Sequence, residues 1–181
     1  MMGKPSFNLD IPKRSSSCSK GGETFHPGTE YHSILLEISH DQYQRQDFCS
    51  ACWDNYTREE LLGQATSHWK AQVIVSAKQN DKGLPKQDQI QDDQLVALFK
   101  NGLESDKNED HAEAFVLALY LARKKIIVLR EQFEQENQTV FLYEIASTEE
   151  MIPVKKIALS ELQIAAIQQR LATKLRKKSS L

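Results

Sequence analysis

What this chain lacks narrows its class before any motif is read. No apolar run approaches the ~20 residues that a membrane-spanning helix requires. The longest, Ala112 to Leu121, is interrupted by Glu113 and followed by Arg123-Lys124-Lys125, so no membrane partner is expected. Nor is charge of one sign in excess: 23 Lys and Arg against 25 Asp and Glu leave a formal charge of -2. No global field therefore gathers nucleic acid. Glycine is sparse, 7 in 181 residues, and no phosphate-cradling Walker or dinucleotide loop occurs. Met1 to Ser17 holds basic residues without an apolar core, so a secretory signal is not expected and the cytoplasm is the expected compartment. Cysteine is scarce too. Three residues in a reducing compartment are expected as thiols or metal ligands, not disulfides.

What remains has the composition of a folded protein, 40% hydrophobic and 27% charged. Its length suits one ordinary domain, or a small module followed by a larger one. A short strand is expected over Phe7 to Ile11, where apolar residues alternate up to Pro12. Tyr31 to Ile38 also alternates, and Tyr43 to Cys49 is its expected hairpin partner. Thr57-Arg58-Glu59-Glu60 has the form of a capping box for a short helix ending near Leu62. Val73-Ile74-Val75 extends a strand from Trp69. The polar stretch 78–91 predicts a linker. Beyond it, Asp93 is placed to cap a helix through Leu103, and Asp110-His111-Ala112-Glu113 forms a second capping box. That box opens an apolar helix, reaching about Lys125, with Phe115 and Leu119 in its core. Ile126–Phe133 and Thr139–Ile145 predict a hairpin with a longer loop, Met151–Ile157 a third strand, and Ser160 a cap for the last helix.

The chemistry concentrates in Cys49-Ser50-Ala51-Cys52, which directly follows an expected strand. A C-x-x-C step lets two thiolates converge on one metal ion. Cys18 lies upstream, and Gly21 stands where a second such step would place a cysteine. Structural zinc takes four N or S ligands in a closed tetrahedron, so the expected set is Cys18, Cys49, Cys52 and His26. His32 and His40 rank below His26, one projecting from a strand and the other at the opposite end of the hairpin. A thiol-redox reading of Cys49 and Cys52 ranks lower, because the next helix signal comes only at Thr57. The basic tail Lys174-Leu175-Arg176-Lys177-Lys178 carries a nucleic-acid reading, but cations at a helix C-terminus also compensate the dipole. Arg45 and Asp47 share a strand face and are read as a solvated surface pair. No nucleophile–base set supports a reaction class, so the chain is read as not an enzyme.

Cys18-Ser19-Lys20-Gly21, the segment Phe25 to Ser33, Arg45-Gln46-Asp47-Phe48-Cys49-Ser50-Ala51-Cys52-Trp53 and the helix Phe115 to Lys125 resemble an uncharacterised bacterial protein family. That family has a degenerate zinc-ribbon-like N-terminal part and a helical C-terminal part. The resemblance implies that an ancestral metal site is lost here, and it implies no activity; the alternative to a zinc site is a metal-free hairpin held by Phe25, Phe48 and Trp53. The expected fold is α+β: a small antiparallel β module of zinc-ribbon type over 1–77, a linker over 78–91, and a helix–β-hairpin–helix unit over 92–181. The expected role is a non-catalytic interaction or adaptor protein with a structural zinc ion and a protein partner. The alternative is a nucleic-acid-associated zinc-ribbon protein.

Overall fold

A computed structural model of the chain describes residues 9–40, 42–56, 63–74 and 87–178. The alternating segments form β1 (Glu30–Ser39), β2 (Gln42–Cys49) and β3 (Ser67–Gln72), in the antiparallel order β2-β1-β3. Central β1 has two occupied faces. Ser33 sits between Asp47 and Trp69, and Tyr31 is opposite Ala71. On the other face His32 is opposite Phe48, and Ile34 is opposite His68. Both faces bury apolar side chains, so the apolar residues Ile34 and Leu35 are adjacent and both fully buried.

A second sheet, β4-β5-β6, comprises β4 (Ile127–Gln135), β5 (Gln138–Ile145) and β6 (Met151–Lys155). The long loop expected between β4 and β5 is instead a tight turn through Glu136 and Asn137. Both have left-handed backbones, φ 48° and 61°, the requirement of a two-residue hairpin turn whose twist matches the strands.

Among the described residues four helices complete the α+β fold: α1 (Ser50–Tyr56), α2 (Gln87–Glu104), α3 (Asn108–Arg123) and α4 (Glu161–Lys178). The chain separates into two compact units, residues 1–82 with 128–153 and residues 83–127 with 154–181. In the first, one apolar cluster joins Tyr31, Leu35, Tyr43, Phe48, Trp53 and Trp69 to Phe133, Val140, Leu142 and Met151. Much of its stability follows from that burial, at about 25 cal/mol per Å² of apolar surface.

In the second unit α2 buries Leu95 and Phe99, α3 buries Ala114 to Ala118 and Leu121, and α4 buries Ile167 and Leu171. Gly102 lets α2 approach α3, since a Cβ there would lie 3.0 Å from the Ala114 Cβ. Leu119, expected in the core, is 47% exposed; the buried stripe lies on the opposite side of the helix. The capping box at Asp110 does not form. α3 begins at Asn108, Asp110 accepts from the Ser105 hydroxyl at 2.5 Å, and buried Glu113 is held by Arg170 at 2.8 Å and by Lys174. Ser160 does cap α4: its hydroxyl accepts from Gln163 N–H at 3.3 Å while the Gln163 side chain accepts from Ser160 N–H at 2.9 Å.

Of the stretch 78–91, residues 78–86 fall outside the described residues, and Gln87 to Gln91 open α2. Phe7 and the expected box and helix over 57–62 also fall outside them. Near the expected first strand, Asp10 makes an isolated parallel bridge to Gln42.

Candidate metal centre

Two turns of similar build face each other at one end of the first sheet. In the second turn β2 ends at Cys49 and α1 starts at Ser50, with the Cys52 N–H donating to Cys49 Sγ at 3.4 Å. In the first, the Gly21 N–H donates to Cys18 Sγ at 3.3 Å. Each leading cysteine thus has its sulfur bonded to the amide three residues later. The first turn is closed by Gly22 N–H to Cys18 carbonyl, 3.0 Å, and Cys18 N–H to Glu23 carbonyl, 2.8 Å. Gly22 has φ 74°, a left-handed backbone that suits glycine and lets the chain reverse here.

The turns are stitched together through Asp47. Its backbone carbonyl accepts from Ser19 N–H at 2.7 Å, its N–H donates to the Ser19 hydroxyl at 3.1 Å, and its carboxylate accepts from Ser15 N–H at 2.8 Å. Cys18 is thereby set against β2, and its sulfur accepts the Cys49 N–H at 3.4 Å. The same carboxylate binds the Ser33 hydroxyl at 2.5 Å and the Arg45 guanidinium at 3.0 Å. Arg45 in turn lies over Trp69, 5.0 Å from its ring centre. Arg45 and Asp47 do pair on one strand face, but their side chains are each only 1% exposed. The solvated surface pair expected from sequence is a buried one, because loop 10–19 covers that strand.

Cys18, Cys49, Cys52 and Glu23 bring their ligand atoms within 4.8 Å of one another, near enough to share one metal ion. Glu23 Oε2 lies 3.6 Å from Cys49 Sγ. His26, the fourth ligand expected from sequence, is exposed and outside this group. Its carbonyl accepts Thr29 N–H in the turn that follows, which carries the chain away toward β1. His40 is at the opposite end of the hairpin, 3.4 Å from Glu136. His32 stacks on Trp53 with ring centres 4.8 Å apart, and His68 stacks on Trp53 at 4.4 Å. Sequence reasoning missed Glu23, whose only signal was an acid two residues beyond the glycine at the vacant cysteine position.

The crowding of the sulfurs acts in opposite directions on two of the thiols. Burial raises the Cys18 pKa, but the amides of Cys49, Gly21 and Lys20, together with the Cys52 thiol, outweigh it and hold the Cys18 thiol below its ordinary value. The Cys52 thiol is pushed up to about 12 by its hydrogen bond with the Cys49 side chain, by burial, and by Cys18. Three crowded thiols do not readily ionise together. A divalent cation among them removes that barrier by supplying the compensating charge.

No protein-family model, curated protein or solved structure matches this chain. Among the described residues, no helix is long and apolar enough to cross a membrane.

Proposed function

We propose that this is a non-catalytic interaction or adaptor protein whose N-terminal module, of zinc-ribbon type, is held together by a structural zinc ion. The observation that carries the reading is the convergence of Cys18, Cys49 and Cys52 from two facing turns, with Glu23 beside them. Three thiolates and one carboxylate oxygen supply four ligands of kinds that zinc accepts, and Cys18 and Cys52 are buried as structural ligands are. A zinc ion there would tie loop 18–23 to the end of β2 and the start of α1. Small modules commonly gain folding energy this way.

One observation favours a second reading, a dithiol of Cys49 and Cys52. A helix begins at Ser50, directly after Cys49 and ahead of the sequence signal at Thr57, which gives a C-x-x-C pair a helix start. The third thiol and the carboxylate argue for metal over dithiol, since neither is needed for thiol exchange. The nucleic-acid reading loses support at the C-terminal helix, where Lys174 is engaged with Glu113. Metal analysis of protein purified without added zinc is the test. About one zinc per chain is expected, with all three thiols reactive only after chelation. A metal-free protein whose Cys49 and Cys52 cycle through a disulfide would reverse the choice. A partner captured on immobilised protein should survive nuclease and moderate salt, as an apolar interface does and a phosphate-dependent one does not.

A further inference from the structure

The two turns differ at one position. In the second turn the residue whose amide bonds the leading sulfur is Cys52; in the first it is Gly21. Gly21 is therefore the positional counterpart of a metal-ligating cysteine. The space its side chain would take is filled. A Cβ built on Gly21 would collide with the Glu23 carboxylate, its Oε1 lying 2.7 Å away. The backbone of Gly21 is not left-handed, and a side chain there would displace the Glu23 carboxylate from its present place beside the sulfurs.

We propose that Glu23 is the fourth ligand, standing in for a cysteine at position 21, and that it makes the site an exchangeable one. The inference rests on the zinc reading. A carboxylate carries the same charge as a thiolate, so the ion and its ligands keep the net charge of a four-cysteine site. What changes is hardness. Carboxylate oxygen is a harder ligand than sulfur and suits the metals that also hold water. Exposure compounds this: Glu23 is exposed, whereas Cys18 is 3% and Cys52 9% accessible. The metal would be gripped from within by buried sulfurs and open to solvent at the carboxylate. A competing chelator or an acceptor protein's thiol enters there, displacing the carboxylate while three sulfurs still hold the ion.

The experiment compares the full chain with Glu23→Gln, with the double variant Gly21→Cys/Glu23→Ala, and with Glu37→Gln, an exposed acid outside the cluster, as control. Zinc affinity, the visible spectrum of the cobalt(II)-loaded protein, and the rate of zinc transfer to a chelating dye are measured. Glu23→Gln should weaken zinc about tenfold or more, since even outer-shell changes can cost that much, and should alter the cobalt spectrum. The double variant should regain affinity, show a four-sulfur cobalt spectrum and release zinc more slowly than the natural chain. If Glu23→Gln matches the control in affinity and spectrum while the natural chain binds zinc, Glu23 is not a ligand and this inference fails alone. Faster zinc release from the double variant would also overturn it. A natural chain that takes up neither zinc nor cobalt would defeat the zinc reading itself.

Discussion

His32 and His68 hold their imidazoles edge to edge, Nδ1 of one 3.2 Å from Nε2 of the other, with ring planes 6° apart. Both rings lie nearly parallel to Trp53. Rings on opposite faces of an indole would be about 7 Å apart, twice a contact spacing. Their 5.5 Å centre separation therefore puts them side by side on one face.

A proton is expected to disturb this stack. Burial, then His68 and Lys70, hold the His32 pKa below its ordinary value. The unfolded chain accepts a proton near pH ~6.5, and the folded chain resists it. Stability is thus full above that pH and declines as pH falls through it toward the lower folded value. Thermal unfolding between pH 7.5 and 5.5 should show a falling midpoint, and His32→Gln should flatten the slope. Parallel slopes for both proteins would remove His32 from the account.

The buried pair on β2 gives a second expectation. Asp47→Ala leaves the Arg45 charge without its partner and should cost roughly 3–5 kcal/mol in urea unfolding. Metal uptake should fall less, because both Ser19 bonds go to the Asp47 backbone, which alanine keeps, and only the Ser15 amide loses its carboxylate acceptor. Replacing both residues, as Arg45→Met with Asp47→Leu, should cost less than the sum of the single changes. Additive costs would mean the two side chains act independently.

The second unit offers a contrast within one helix. Leu117 is 3% exposed and Leu119 47%. Leu117→Ala should therefore cost about 2–5 kcal/mol and Leu119→Ala well under half of that. Equal denaturation midpoints for the two would show that the buried stripe of α3 is misassigned.

Metal removal should act locally. With zinc in place, Cys49→Ser should abolish binding, since it removes a sulfur from the second turn. His26→Ala should leave binding unchanged. A chelator should expose residues 18–23 and 49–53 to hydrogen exchange while α2 to α4 keep their protection. Uniform loss of protection through both units would contradict a local role for the metal.

The parts of this fold legible in sequence are those where one local rule decides. Alternation placed β1 and β2, and Ser160 marked the start of α4. Asp110-His111-Ala112-Glu113 fits the same capping rule, yet Glu113 answers to Arg170 and Lys174 far along the chain. That tertiary demand outweighs a local cap and is invisible in a window of four residues. The metal cluster divides the same way. The three cysteines were legible because thiols are rare and few roles suit them. Glu23 was not, since the chain has many carboxylates and histidine is the commoner partner of thiolate on zinc. Arg45 and Asp47 were legible as a pair, but their burial depends on a covering loop that no strand pattern announces.

The first unit takes in residues 1–82 and 128–153, with a stretch of the second unit lying between them in the chain. During synthesis, Tyr43 and Leu35 therefore cannot complete their shared core until Phe133, Val140, Leu142 and Met151 have left the ribosome. The three-stranded sheet must wait through the making of α2 and α3 with its share of that cluster incomplete. No single cut of the gene frees either unit whole. A metal that fastens the two early turns would guard the nascent chain through that interval.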